Sequence, residues 1–221
     1  MASSQKKDHR LEGGVLYFVS IRYAHRQNMN LFWYGQNSVG IDSGEHSLVV
    51  EPLDLEKELK SAKAAAVVLL SQTKVTEAPA AKTNSFIINN PGEYDIKGFF
   101  VLGFGDFSKS IAYVIEAEGI KVCYLSGLDK ELTDAQLESL SDVDILAIDV
   151  GETSEQNEIA SKIVNQIEPR IIIPIGYDAA KKPSTFLKEM GASEVEAQNK
   201  LNIKKKDLPQ EETKVVVLNA V

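Results

Sequence analysis

The sequence predicts one α/β domain in which strands dominate the first half and helices thicken in the second. Three observations carry this. Short apolar or alternating runs separated by Gly, Asn, Asp and Ser fill the first half. Helical spacing of apolar residues gathers after residue 130. Between the apolar runs "VDILAIDV" and "RIIIPIGY" lies a helical stretch, giving a strand–helix–strand unit.

Taken in order, "LFWYG", "SVGID", "HSLVVEP" and "AAAVVLL" read as four strands. The segment "FIINNPGEYDIKGFFVLGFG" adds two more across the turn residues Asn90, Pro91 and Gly92. The glycines of "GFGDFS" open no helix, so they predict a turn or bulge rather than a phosphate loop. "SIAYVIEAEGIKVCYLS" predicts a hairpin that bends at Glu118-Gly119. Thr133 to Gln136 fits a capping box leading into Leu137 and Leu140. In "TSEQNEIASKIVNQIE", Ile159, Ile163, Val164 and Ile167 share a helix face, and the helix stops before Pro169. "STFLKEMG" is a last short helix ending at Gly191. "NKLNIKK" and "TKVVVLNA" close the chain as strands. No linker or repeat interrupts this order.

The chain has 221 residues, 43% hydrophobic and 25% charged, which places it among ordinary globular proteins. Its net charge of -8 disfavours a nucleic-acid binder, which needs a concentrated basic face. No apolar run approaches the roughly 18 residues of a membrane span. Residues 1–28 carry Lys6, Lys7 and Arg10 ahead of an apolar patch, but that patch is short and lacks a small-x-small cleavage site. They read as an extension, disordered or an extra strand, ahead of a domain spanning 29–221, and the cytoplasm is the expected location. The one cysteine, Cys123, lies mid-strand and is expected to be buried and inert. The run Lys204-Lys205-Lys206 is expected to be a solvated strand end rather than an anion site. Aromatics among Phe32, Trp33, Tyr34, Phe99, Phe100, Phe104 and Phe107 are expected mostly in the core, although exposed ones would favour an oligomer.

Signatures of several chemistries are missing. There is no G-x-x-x-x-G-K-[ST] loop and no G-x-S-x-G turn. The three histidines, His9, His25 and His46, show no H-x-H or H-x-x-x-H spacing. His46 begins a strand and is expected to be solvated or hydrogen-bonded. Asp149 and Glu152 follow a buried strand, where they suit a hard cation such as Mg²⁺ or Ca²⁺. The plainer reading is a strand-end cap and a helix N-terminal acid.

Together, "LFWYGQNSVGI", "NNPGEYDIKGFFVLG", "DVDILAIDVG" and "VNQIEPRIIIPIGY" resemble the metallo-β-lactamase superfamily, in particular its small bacterial members described as zinc-dependent hydrolases. The resemblance runs from about Met29 to the last strand. It implies a four-layer αβ/βα sandwich with two mixed sheets and outer helices. It also locates the family's metal motifs, and each is changed here. The first, H-x-H-x-D-H, falls on Gln72, Lys74, Thr76 and Glu77. The next histidine position is Gly105, the bridging aspartate position is Gly127, and the final histidine position is Gly176. An ammonium at Lys74 would repel a divalent metal and take its place electrostatically, with Glu77 as partner.

These changes lead to the expectation of a hydrolase-like, non-catalytic protein, a pseudoenzyme with its zinc site lost and no cofactor. It would bind an unidentified protein or small molecule, not nucleic acid or membrane, with a homo-oligomer left open. The alternative is a hydrolase with an oxygen-rich metal site or metal-free chemistry, drawing on Asp106, Asp129, Asp149, Glu152 and Asp178 near the family's cleft.

Overall fold

The computed structural model describes residues 28–53, 65–71, 85–107 and 110–221. The expected extension 1–28, apart from Asn28, lies outside them, as do His9, His25, Gln72, Lys74, Thr76 and Glu77.

The chain builds one sheet, crosses to a second and then returns. Strands β1 (Met29–Gly35), β2 (Ser38–Ser43), β3 (His46–Val50), β4 (Ala65–Leu69) and β5 (Phe86–Ile88) form the first sheet. Strands β6 (Gly92–Ile96), β7 (Phe99–Phe107), β8 (Ser110–Ala117), β9 (Ile120–Leu125), β10 (Ile145–Asp149) and β11 (Ile171–Ile175) form the second. β12 (Leu201–Ile203) returns to the first sheet beside β1, and β13 (Lys214–Val215) joins the second beside β11. The sheet orders are β12-β1-β2-β3-β4-β5 and β13-β11-β10-β9-β8-β7-β6. Both sheets are mixed. In the first, β3, β4 and β5 run parallel and the rest antiparallel. In the second, β9, β10, β11 and β13 run parallel and the hairpin strands antiparallel.

Inner residues of the two sheets share one core that includes Trp33, Ile41, Leu48, Phe99, Tyr113 and Tyr124. Phenol hydroxyls tie the sheets together. Tyr113 donates to the Leu70 carbonyl at 2.8 Å, and Tyr124 donates to the Asn37 carbonyl at 2.9 Å. β10 is buried from Ile145 to Ile148 on both faces, with the first sheet on one side and α2 (Ser154–Ile167) on the other. α2 turns Ala160, Ile163 and Val164 inward, and α1 (Asp134–Ser139) and α3 (Ser184–Glu189) flank it. Two mixed sheets with outer helices are the expected class.

The helix signals also read correctly. Thr133 and Thr153 both form complete capping boxes, with Gln136 and Gln156 reaching back. Gly191, at a φ of +65°, follows the α3 cap and donates to the Lys188 carbonyl. The "GFGDFS" glycines sit in β7, where the pairing with β8 shifts between Phe104 and Phe107, so the bulge is real.

Three expectations need correction. Asn90-Pro91-Gly92 does not join two hairpin strands; it carries the chain between sheets, from β5 to β6. The hairpin turn is Lys97-Gly98, where both residues have positive φ as a tight primed turn requires, and so the segment holds three strands. Only some of the described aromatics are core residues: Trp33 and Phe99 lie in it and Phe104 packs against it. β1 alternates, so Phe32 and Tyr34 face outward while Trp33 is buried; Phe99 is buried, but Phe100 and Phe104 are only half-buried. Finally, Lys205 is not a free strand-end charge. It starts a short 3-10 turn (Lys205–Asp207), and its Nζ lies 2.7 Å from the buried Asp144 carboxylate.

Candidate functional site

The strands β9, β10 and β11 run parallel, so their carboxyl ends open on the same side. Gly127, Asp149 and Gly176 stand there, one after each strand or at its last residue. The β1–β2 turn meets them from the first sheet. Its Gln36 carbonyl accepts from Gly176 N at 2.8 Å and from Trp33 Nε1 at 2.7 Å. Gln36, at a φ of +47°, holds this tight turn and delivers Asn37 onto the second sheet.

Asp149 is the centre of the arrangement. Its Oδ2 accepts from Gly127 N at 3.2 Å and its Oδ1 from Gly151 N at 2.9 Å. The Asn37 side chain hydrogen-bonds to it as well. Burial pushes the carboxyl above its usual range, partly opposed by these three hydrogen bonds. The Asn37 Oδ1 is itself buried and has no hydrogen-bond partner among the described residues. Gly176 completes the packing: a Cβ there would lie 1.9 Å from Asp149 Oδ1 and 2.8 Å from Asn37 Oδ1. Only glycine fits.

Around this group the phenols are held neutral. Burial first, and then the Glu51 charge, push Tyr113 up; burial and the Glu51 and Asp149 charges do the same for Tyr124. Burial raises Tyr177 to about 12, and its ring lies 4.5 Å from that of Trp33. Glu51 has a φ of +48° and accepts a hydrogen bond from Ser71 N at the end of β4.

The other expected residues disperse. Gly105 lies on β7, two strands from β9, and a Cβ there would touch Pro91 Cγ at 3.0 Å. Asp106 is on β7 too, and its side chain is outside the description. Asp129 and Glu152 are exposed, the latter just ahead of the Thr153 cap. Asp178 turns to Lys181 at 3.1 Å and accepts from Ala180 N at 3.0 Å, which holds its carboxyl low. Of these acids, Asp149 alone is seen against Gly127 and Gly176, two of the positions expected from the family's metal motifs. Its backbone bonds fit the plainer reading of a strand-end cap.

Asn37, Glu51, Tyr113 and Tyr124 were not singled out from sequence. Asn37 reads only as a turn residue, and the tyrosines only as strand residues. The positive φ of Glu51, a residue before Pro52, leaves no sequence signal.

A zinc centre takes imidazole, thiolate or carboxylate ligands, usually four in all with water. Gly105, Gly127 and Gly176 supply none. Asp149 already accepts two backbone bonds, and Asn37 offers one amide oxygen. Among the described residues no three of His, Cys, Asp or Glu gather. His46 sits at the start of β3, about 13 Å by strand rise from Val50 at its other end. The residue is half-buried, and its Nδ1 is buried without a partner among the described residues. The described residues do not fit the metal.

A groove of about 1100 Å³ opens at the opposite ends of the same strands, lined by Lys121, Asp144, Arg170, Lys205 and Glu211 among others. Its buried acid Asp144 is already bound by Lys205 at 2.7 Å, Arg170 at 3.5 Å and Lys121 N at 2.9 Å. Cys123 is fully buried in β9, and burial pushes its thiol up. No described helix is long and apolar enough to cross a membrane.

Residues 30–176 match the family model described as "Beta-lactamase superfamily domain". Among solved structures, the chain is similar to a Thermotoga maritima protein described as a candidate Zn-dependent hydrolase of the metallo-beta-lactamase superfamily. That match has 27% identity and a TM-score of 0.66, and covers 86% of this chain and 99% of that one. The metallo-beta-lactamase fold protein YhfI from Bacillus subtilis matches at 13% identity and a TM-score of 0.62, over 87% of this chain and 97% of that one. Igni18, a metallo hydrolase from Ignicoccus hospitalis, matches at 12% identity and a TM-score of 0.59, over 80% and 99%. No curated protein matches the chain significantly.

Proposed function

Given that the chain belongs to the metallo-β-lactamase superfamily, we propose that it is a member whose metal centre has given way to protein groups, acting as a binding protein rather than a hydrolase. The observation that supports this best is the interlock of Asp149, Asn37 and Gly176. The family's final histidine position is filled from the side by a carboxylate and an amide, and no side chain fits at 176 while they stay. Hydrolysis by this family's route needs a metal-activated water, and the described residues offer neither the ligands for that metal nor a paired nucleophile and base in its stead.

Lys74 and Glu77 belong to the same proposal. An ammonium at the first motif would replace metal charge, with Glu77 as its partner. Lys74→Met is expected to lower stability at neutral pH, measured by urea unfolding; an unchanged midpoint would remove this part.

The competing reading, an oxygen-rich metal site or metal-free hydrolysis, draws support from Asp149 alone. Turnover of a chromogenic β-lactam and of a p-nitrophenyl phosphodiester separates the two. We expect rates equal to buffer, with and without Zn²⁺ or Mn²⁺. Metal-stimulated turnover that disappears in Asp149→Asn would overturn the proposal.

A further inference from the structure

We propose that a proton takes the metal's place in this cleft: when protonated, the Asp149 carboxyl closes a two-bond ring with the Asn37 side chain and clamps the two sheets together. The inference rests on the lost-metal reading above and names the cation that the same site would hold.

The geometry asks for a donor that occupies no room. Asp149 Oδ1 and Asn37 Oδ1 lie 1.9 Å and 2.8 Å from the point where a Cβ on Gly176 would be, so the two oxygens are neighbours in a filled space. Asn37 Oδ1 is buried with no partner among the described residues, and a buried acceptor without a donor is costly enough to be rare. The bond from Asn37 to Asp149 therefore comes from the amide nitrogen. With Asp149 ionised, the amide makes that one bond and its oxygen is left beside a carboxylate. One proton on the carboxyl answers both groups. The O–H donates to Asn37 Oδ1 while the amide N–H donates to the other carboxyl oxygen. The backbone donors nearby cannot serve instead. Gly127 N and Gly151 N point at Asp149, and Gly176 N points at the Gln36 carbonyl.

Asn37 lies in the turn between β1 and β2, and Asp149 ends β10, so the ring joins the first sheet to the second. The titratable groups around it are Tyr124 from β9, Tyr177 and Asp178 after β11, Glu152 after β10 and Glu51 after β3. Both tyrosines are held neutral, Asp178 is answered by Lys181 at 3.1 Å, and Glu152 is exposed. No described cation pairs with Asp149, and burial favours its neutral form. As pH rises through the folded-state value the ring opens. The turn then relies on the bonds that its Gln36 and Asn37 carbonyls accept from Gly176 N and Tyr124.

The test follows the Asp149 and Asn37 side-chain carbons of the full chain by ¹³C NMR from about pH 3 to about pH 8, in wild type and Asn37→Ala. We expect both carbons of the wild type to titrate together, with one midpoint. Asn37→Ala should weaken proton binding at Asp149 about fivefold, because the protonated form loses two bonds and the ionised form one. An amide that serves the carboxylate alone gives the opposite sign. Tighter proton binding in Asn37→Ala, or no change, would overturn the inference alone. So would a wild-type Asn37 carbon that stays still while Asp149 titrates, a result that needs no variant to fold. Stoichiometric uptake of Zn²⁺ by the same sample would overturn the lost-metal reading and this inference with it.

Discussion

Two constraints meet at Gly176. Its φ of +77° lies in the left-handed region, and a Cβ would fall 1.9 Å from Asp149 Oδ1. Gly176→Ala should therefore lower stability by about 2–4 kcal/mol, combining backbone strain with overpacking. In an Asp149→Ala background the same change should cost less, about 1–2 kcal/mol, because the backbone part and the 2.8 Å approach to Asn37 Oδ1 remain. Urea unfolding of the four proteins gives this cycle, and equal costs in both backgrounds would contradict the interlock. Asp149 also has a pH signature. Its folded-state carboxyl is raised by burial, so the folded chain keeps a proton that the unfolded chain has released. Its contribution to stability is full below the unfolded value of about 3.9 and is lost as pH rises through the folded value. Asp178, held low by Ala180 N and Lys181, runs the other way, losing its contribution as pH falls. The stability difference between wild type and Asp149→Asn should thus move in favour of wild type on going from about pH 7 to about pH 3. A difference that is flat with pH would show that Asp149 is not perturbed. Gly127, Gly176 and Asp149 could be picked out in the sequence because motif positions and strand ends are local. Asn37 could not, because its partner lies 112 positions on (149 minus 37), across the two sheets.

The elements were legible wherever a local signal decides them. Thr133 announces its helix because a capping box is complete within four residues, the spacing of Ile159, Ile163, Val164 and Ile167 announces α2, and Glu118-Gly119 announces its hairpin. Lys97-Gly98 went unread because the nearby Asn90-Pro91-Gly92 is the stronger turn composition, although it serves as a crossing between sheets. The lysine run shows the same limit. Lys204, Lys205 and Lys206 are indistinguishable by composition, yet Lys205 alone is paired with Asp144, which is 4% exposed and lies 61 residues away. Removing that ammonium leaves Asp144 with Arg170 at 3.5 Å and the Lys121 N–H. Lys205 is itself about half exposed, so solvent screening reduces the loss. Lys205→Met should cost about 1–2 kcal/mol, while Lys204→Met and Lys206→Met should each change stability by less than about 0.5 kcal/mol. Three equal losses in thermal or urea unfolding would mean that the Asp144 pair does not form.

Across the whole molecule, the two sheets are held by a continuous apolar core, by tyrosine hydroxyls reaching carbonyls of the opposite sheet, and by the C-terminal segment. That segment pairs β13 with β11 and then bridges Ala220 to Trp33 of the first sheet. None of these contacts involves a metal ligand, so the described scaffold has its own means of closing the cleft end. The α/β class was legible from apolar patterning, whereas the two-sheet sandwich followed only from the family resemblance, because the order of elements alone does not say which strands pair. The contacts around Asp149 were not legible, since Asn37, Gly127 and Gly176 come from turns and strand ends far apart in sequence. The central claim is that this scaffold stands without the family's metal. Elemental mass spectrometry tests it most directly, on tag-free protein purified without chelator and again after incubation with Zn²⁺, Fe²⁺ and Mn²⁺. The account predicts less than about a tenth of a metal per chain in every sample, far below an occupied site. One or two tightly held metals per chain would contradict it.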